Sequence, residues 1–112
     1  MLPKKRRITK ELIEKTIYQG RSFQTEYLTL KILTSNSSNL FGFVVSKKVS
    51  KKSVDRNLLK RRGRYIIRKY LSSLNQGILC VFIFKQNSTK LSFENLEKEF
   101  YLLFQKSNIL NK

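Results

Sequence analysis

The run Ile78–Phe84, ILCVFIF, is apolar at every position. It is far shorter than a membrane-spanning helix, and no other apolar run in the sequence approaches the length of such a helix. A strand with one solvent-exposed face alternates between apolar and polar residues, whereas a strand that is buried on both faces does not. The run therefore predicts a β-strand that is buried on both sides.

A short amphipathic helix is predicted near the beginning of the chain. Thr9 suits its N-cap, Glu11 lies in its first turn, and Gly20 is a natural stop. Its apolar side consists of Leu12, Ile13 and Ile17.

Three further strands are indicated between this helix and the middle of the chain. Residues 27–33 alternate, with one apolar face that we expect in the core and one polar face that carries Tyr27, Thr29 and Lys31. Residues 21–24 add a short strand. The turn-rich loop 34–39 predicts a hairpin into a strand over residues 40–46. Because a helix separates strands 40–46 and 78–84, we expect these two to be parallel neighbours.

The chain ends in a predicted amphipathic helix. Ser92 suits its N-cap, and Leu91 and Leu96 are spaced as a hydrophobic staple. Its apolar stripe, which we expect in the core, consists of Leu96, Phe100, Leu103 and Phe104.

The positive charge is concentrated in the first two thirds of the chain. The net charge is +17, from 24 Lys and Arg against seven Asp and Glu. Residues 1–70 hold 19 of these basic residues and four of the acids. Such a field attracts polyanions, and most of it must be solvated or neutralised by a partner. Nucleic acid is the first candidate partner, and an anionic membrane surface is the second.

The densest cationic segment is a loop with four lysines, residues 47–52, followed by a predicted helix. Ser53 suits the N-cap of this helix and Asp55 its first turn. At 100° per residue, one arc of roughly 100° carries cations and no balancing acid, so its charges repel unless an anion binds. Its members are Asn57, Lys60, Arg61, Arg64 and Arg68. A separate arc is predicted to pack, and it consists of Leu59, Gly63, Ile66, Tyr70 and Leu74.

Residues for catalysis are scarce. Histidine is absent, which removes imidazole acid–base chemistry, His-activated nucleophiles and imidazole metal ligands. The single cysteine, Cys80, lies in the apolar strand, where we expect a buried hydrophobe, and it offers no disulfide framework. The seven acids are scattered. We therefore predict no catalytic residue and no metal ligand in this chain.

Several binding interpretations remain open at this point. The basic arm MLPKKRR, residues 1–7, is either a flexible RNA-contacting tail or a solvated, frayed terminus. Tyr27 either stacks on a nucleotide or is a half-buried strand aromatic. DNA binding is allowed by charge, but a long basic helix joined to strands does not fit a helix-turn-helix. Membrane binding is disfavoured because the opposite side of the basic helix is needed for the core.

The segment SKKVSKKSVDRNLLKRRGR resembles the signature of the bacterial ribonuclease P protein component. That family has two lysines after a strand, a spacer ending near a small residue, then Arg-Asn, two residues, Lys-Arg, two residues and Arg. The matching positions here are Lys47, Lys48, Ser53, Arg56, Asn57, Lys60, Arg61 and Arg64. The order of elements is also similar over nearly the whole chain.

Three departures from the family pattern accompany this resemblance. Leu58 stands where the family often has a third arginine, and Arg62-Gly63 stands where two apolar residues are usual. Ile13 and Ile17 stand where aromatic residues are often found. A glycine inside a helix costs about 1 kcal/mol relative to alanine, so close packing is the expected compensation at Gly63.

The resemblance implies an α+β fold, an α/β sandwich like the second domain of ribosomal protein S5, in the order α-β-β-β-α-β-α. Its four-stranded, mostly antiparallel sheet has one helix on the open side. Strands 40–46 and 78–84 are joined by a left-handed crossover, contrary to the general right-handed rule. We expect a single RNA-binding domain over residues 1–112, with a flexible basic arm at 1–7.

The resemblance also implies the protein subunit of a ribonucleoprotein endoribonuclease that removes the 5′ leader of precursor tRNA. The RNA subunit performs the hydrolysis with bound Mg²⁺, and no cofactor is expected on the protein alone. The implied partners are ribonuclease P RNA and precursor tRNA, without membrane or DNA, in the bacterial cytoplasm. The alternative is a ribosomal or ribosome-associated RNA-binding protein without a nuclease role.

The implied contacts form two groups. The catalytic RNA and the adjacent leader are expected at Lys47, Lys48, Lys51, Lys52, Arg56, Asn57, Lys60, Arg61, Arg64 and Arg68. A leader cleft between the first helix and the sheet is expected to be lined by Ile13, Ile17, Tyr27, Thr29, Lys31 and Val44.

Overall fold

The computed structural model of the protein describes residues 8–35 and 39–110. In chain order its main elements are α1 (Lys10–Gln19), β1 (Arg21–Gln24), β2 (Leu28–Thr34), β3 (Leu40–Val44), α2 (Ser53–Tyr70), β4 (Ile78–Phe84) and α3 (Phe93–Ser107). Single 3-10 turns follow α2 and β4, at Leu71–Ser73 and Gln86–Lys90. The predicted α+β element order is confirmed. The basic arm at 1–7 lies outside the described residues.

The strand β4 lies inside the sheet, whose order is β1-β2-β4-β3. It pairs antiparallel with β2, with Phe82 opposite Leu30, and parallel with β3, with Cys80 opposite Phe41. The prediction of parallel neighbours is therefore confirmed. The predicted hairpin between β2 and β3 is wrong, because β4 lies between them. The turn-rich loop indicates a reversal of the chain, but it does not specify which strand pairs with which.

Helices cover the sheet on both faces. Gly42 and Phe43 are consecutive in β3 and therefore point to opposite faces. A Cβ added to Gly42 would lie 3.1 Å from Ile13 Cγ1, so α1 packs on that face. A Cβ added to Gly63 of α2 would lie 2.7 Å from the ring of Phe43, so α2 packs on the other face. The result is an α/β sandwich, in which α3 lies on the same side as α2.

The main core lies between the sheet and the pair α2 and α3. Phe82 of β4 stacks on Phe100 of α3 with ring centroids 4.6 Å apart, and Phe43 stacks on Phe82 at 5.7 Å. The predicted stripe of α3 is fully buried, and Leu91 packs against the core that contains Leu96. Cys80 is also fully buried, and this burial raises the pKa of its thiol. Cys80 is therefore the small hydrophobe that the sequence predicted.

Two helix starts follow the expected chemistry. The Thr9 hydroxyl accepts from the Leu12 N–H at 3.3 Å, and the Ser92 hydroxyl accepts from the Asn95 N–H at 3.2 Å. Gly20 ends α1, as predicted. No helix in the described part of the chain has the length and apolar character that a membrane span requires.

Gly63 provides a test of the packing between α2 and β3. A glycine-to-alanine change inside a helix usually stabilises it by about 1 kcal/mol. Here the added methyl would overlap the Phe43 ring and approach Phe100 Cζ at 3.4 Å. We therefore expect Gly63→Ala to lower the free energy of unfolding by about 1–3 kcal/mol, measured by urea denaturation.

The double variant Gly63→Ala/Phe43→Leu is the control. The smaller leucine makes room for the methyl, so the two changes together should cost less than the sum of their separate costs. A stabilised Gly63→Ala protein would contradict the close contact.

Candidate nucleic-acid interface

Ser50 joins the lysine loop to the first turn of α2. Its hydroxyl donates to Asp55 Oδ2 at 2.9 Å and accepts from the Lys52 N–H at 3.2 Å. The guanidinium of Arg56 donates to the Ser50 carbonyl at 2.8 Å. The predicted cap at Ser53 is wrong, since Lys52 occupies the N-cap without a side-chain bond and Ser53 is the first helical residue. Both serines precede Asp55 closely, so sequence alone could not choose between them.

The cationic arc of α2 faces away from the core. Asn57, Arg61 and Arg68 are exposed, and Lys60 and Arg64 are half-buried. The opposite arc packs as predicted, with Leu59, Gly63, Ile66, Tyr70 and Leu74 all buried or half-buried. Within residues 8–35 and 39–110, the side chains of Lys60, Arg61 and Arg68 form no hydrogen bond or ion pair. Their charge is therefore not neutralised by the described protein.

Two further cations of α2 contact α3 or the residues just before it. Arg62 donates to the Leu91 carbonyl at 3.4 Å, and Lys69 pairs with Glu97 Oε2 at 2.7 Å. Glu97 also accepts from the Tyr70 hydroxyl at 2.8 Å. These cations contact the protein instead of extending the cationic arc.

The contacts of Glu97 shift the pKa values of Glu97 and of its two partners, Lys69 and Tyr70. The hydrogen bond from Lys69 lowers the pKa of Glu97, and the same bond raises the pKa of Lys69. Burial raises the pKa of Tyr70, and its hydrogen bond to Glu97 acts in the same direction. The pair therefore stays ionised at neutral pH, with the charge of Lys69 balanced locally.

The four loop lysines are exposed and directly precede α2. Together with the arc they form one surface, which we call the cationic surface. Its members are Lys47, Lys48, Lys51, Lys52, Arg56, Asn57, Lys60, Arg61, Arg64 and Arg68. Arg56 contributes in a second way, because its bond to Ser50 holds the loop against the helix.

The sheet face under α1 is only partly covered. Val81 of β4 points to this face, lies between Lys31 and Gly42, and is fully buried. The next row on the same face is Thr29, Ile83 and Val44, and each of these is half-buried. Helix α1 thus leaves this row, which we call the open strip, beside it.

The expected cleft residues do not all lie in the open strip. Thr29 and Val44 belong to it, whereas Lys31 lies one row further under α1. Ile13 contacts the Gly42 position, and Ile17 is half-buried one turn later. Tyr27 lies in the bend before β2, where it is half-buried and packs against the main core.

Ile83 was missed as a site residue, although it lies at the centre of the open strip. The signal was available in the two-residue period of a strand, which puts Ile83 on the same face as Val81 and Leu79. Ile83 was not singled out because it belongs to an uninterrupted apolar run, in which every residue is predicted to lie in the core. No group of three or more His, Cys, Asp and Glu that could hold a metal occurs in the described ranges.

A sandwich with a partly open sheet face and a surface rich in exposed cations defines a polyanion-binding α+β protein. A family model, that of ribonuclease P, matches residues 2–108. The chain belongs to this family, the protein components of ribonuclease P. It is a subunit of a ribonucleoprotein endoribonuclease, and its role is RNA binding in tRNA processing. Of the two RNA-binding hypotheses, this supports the ribonuclease P subunit.

Individual relatives agree with this assignment. The ribonuclease P protein component of Pseudanabaena sp. is 34% identical over 114 residues, covering 99% of this chain and 98% of the relative. The solved RNase P protein of Staphylococcus aureus superposes with a TM-score of 0.86 at 17% identity, over 95% and 98% of the two chains. That of Thermotoga maritima gives 0.77 at 24% identity, over 88% and 96%. The two structures establish the shared fold.

Ser50 and Ser53 form a matched pair of variants. We expect Ser50→Ala to cost about 1 kcal/mol in the free energy of unfolding, because Asp55 and the Lys52 N–H lose their partner. Ser53→Ala should change it by a few tenths of a kcal/mol, because this side chain caps nothing. Urea denaturation of both variants measures the difference. Equal losses, or a larger loss for Ser53→Ala, would show that Ser50 does not anchor the loop.

Proposed function

We propose that the cationic surface binds ribonuclease P RNA and the adjacent part of the precursor tRNA leader. We further propose that the open strip, with Ile13 and Ile17 of α1 and the neighbouring Tyr27 and Lys31, receives the single-stranded leader. The observation that carries the proposal is the unneutralised charge of Lys60, Arg61 and Arg68 on a helix joined by its lysine loop to the end of β3.

Phosphate chemistry supports the cationic surface as the RNA contact. Arginine offers a planar fork of N–H donors and lysine a mobile point charge, and both suit phosphate oxygens. Each neutralised phosphate releases condensed counterions, so affinity should fall steeply with salt. Contacts to phosphates position RNA without reading its sequence. We therefore expect the surface to orient two RNAs and to lower the repulsion between them.

The open strip differs chemically from the cationic surface. Ile83 and Val44 give it an apolar floor, and Thr29 adds a hydroxyl at one edge. Unstacked bases of a single strand can lie on such a floor, whereas a duplex has no base faces to offer. Aliphatic residues provide contact area without the stacking of an aromatic ring. The strip thus suits a flexible single-stranded leader of variable sequence.

The division of labour with the RNA follows from the side chains available. Because the chain has no histidine, we assign the protein binding and orientation, with the catalytic chemistry placed in the RNA. The RNA subunit supplies the hydrolysis with its bound Mg²⁺, and the protein alone binds no cofactor. The working partners are ribonuclease P RNA and precursor tRNA in the bacterial cytoplasm, with neither DNA nor membrane involved.

Reconstitution with the ribonuclease P RNA of the same organism tests the proposal. At low Mg²⁺, where repulsion between the RNAs is least screened, the protein should raise the rate of precursor tRNA cleavage at the mature 5′ end. Gel analysis of the cleaved leader measures this rate. Absence of stimulation with the cognate RNA would refute the proposal.

Removing two charges from the cationic surface should weaken RNA binding. Arg61 and Arg68 are two turns apart on the exposed arc and have no partner among the described residues. For Arg61→Ala/Arg68→Ala we expect a lower affinity for ribonuclease P RNA. We also expect the slope of log affinity against log salt to become shallower by about 1 to 2. Filter binding over a salt series measures both.

The matched control, Lys90→Ala/Lys98→Ala, removes two exposed charges from the 3-10 turn after β4 and from α3. It leaves the net charge equal to that of the first variant. If both variants lose affinity and slope equally, binding depends on net charge and not on the arc of α2.

A further inference from the structure

A hollow of about 560 Å³ lies at the edge of the sheet where the parallel strands β3 and β4 both end. In open parallel α/β sheets, ligands bind outside the carboxyl ends of the strands, and β3 and β4 are the parallel pair of this sheet. The residues of interest in its wall are Glu26, Ser46, Lys48, Lys85, Gln86 and Asn87. Apart from Lys48, none of these belongs to the sites described above.

The hollow continues the open strip. Lys85 directly follows β4, and its N–H donates to the Tyr27 carbonyl at 2.9 Å, which extends the pairing beyond the strand. Lys85 therefore stands one same-face step beyond Ile83, about 7 Å along the strand direction. Ser46 likewise follows Val44 by two residues. Because Lys48 of the lysine loop also lines the hollow, the hollow joins the open strip to the cationic surface.

The ammonium of Lys85 is held in a fixed position. It donates to Gln24 Oε1 at 3.1 Å and to the Thr25 carbonyl at 2.7 Å. A lysine has three N–H donors, so one remains for an anion. Lys48 also lines the hollow, so its wall carries two cations and one acid, Glu26. A single phosphate is the anion that a wall with two lysines favours.

The side-chain amides of Gln86 and Asn87 suit the base of a nucleotide, as the two lysines suit its phosphate. Gln86 is exposed and Asn87 half-buried, and neither side chain forms a hydrogen bond with the described residues. An amide donates and accepts at once, as the edge of a nucleobase does. The hollow therefore presents phosphate and base contacts together at the end of a strip suited to single-stranded RNA.

We propose that this hollow is a nucleotide subsite for the precursor tRNA leader. Lys48 and Lys85 bind its phosphate, and Gln86 and Asn87 contact its base. The leader passes from the cationic surface through the hollow into the open strip. This rests on the proposed function of the strip, and it adds residues from the segment after β4 to the substrate-binding surface.

Leader-length dependence tests the subsite in the reconstituted holoenzyme. Gln86→Ala/Asn87→Ala removes two amides that hold no internal bond of the described protein. We expect affinity for a precursor with a long leader to fall by about fivefold, the effect of one or two lost hydrogen bonds. Affinity for a precursor with a one-nucleotide leader should not change. The matched control, Asn95→Ala/Gln105→Ala on exposed positions of α3, should leave both affinities unchanged.

The outcomes separate the subsite from the proposed function. If the wild-type holoenzyme prefers the long leader and Gln86→Ala/Asn87→Ala retains that preference, the hollow is not a leader subsite, although the strip still is. An equal loss on both substrates would also overturn the subsite, because it assigns the hollow to the catalytic RNA. If the wild type shows no preference for the long leader, the proposed function of the strip itself fails.

A crosslink gives an independent measurement. A photoreactive uridine introduced at successive leader positions should crosslink to the segment 84–90 at one position, and to β2 or β4 at positions further from the cleavage site. Leader crosslinks that never reach the segment 84–90 would overturn the subsite even if the variants misfold.

Discussion

The parallel pairing of β3 with β4 determines where the cationic surface lies relative to the open strip and the hollow. Two neighbouring parallel strands need a connection that carries the chain from the carboxyl end of the first strand to the amino end of the second. Here that connection contains α2. The lysine loop must therefore begin at the carboxyl end of β3, beside the end of β4. The cationic surface, the open strip and the hollow meet at this edge because the crossover brings them there.

Helix α2 performs two tasks on different arcs of the same 18 residues. The arc with Gly63 and Ile66 packs so closely that a glycine is needed against Phe43. On the other arc, the side chains of Lys60, Arg61 and Arg68 form no ion pair with the described residues, whereas Lys69 is paired with Glu97. Like charges on this arc repel one another, and a bound polyanion would relieve that repulsion. The helix is thus anchored through its packing face while its charge remains available.

The amino-acid pattern predicts most elements because local chemistry determines them. Thr9 and Ser92 begin helices as expected, and the apolar run of β4 is buried as predicted. The predictions failed where the outcome depends on tertiary contacts or on the exact geometry of a loop. A turn composition cannot reveal that β4 inserts between β2 and β3, and two nearby serines compete for one role that only the loop geometry assigns to Ser50. Ile83 was missed as a site residue because exposure within an apolar strand depends on how far α1 extends.

The central claim is that the cationic surface contacts the catalytic RNA and the open strip contacts the leader. The most direct test is cleavage of RNA by a radical source tethered to single introduced cysteines. The native Cys80 is fully buried with a raised thiol pKa, so it should not react with the tether. In the holoenzyme with precursor tRNA, Arg68→Cys should direct cleavage to the catalytic RNA and Val44→Cys to the leader. Lys98→Cys, on the exposed side of α3, should direct cleavage to neither. Leader cleavage from Lys98→Cys but not from Val44→Cys would contradict the account.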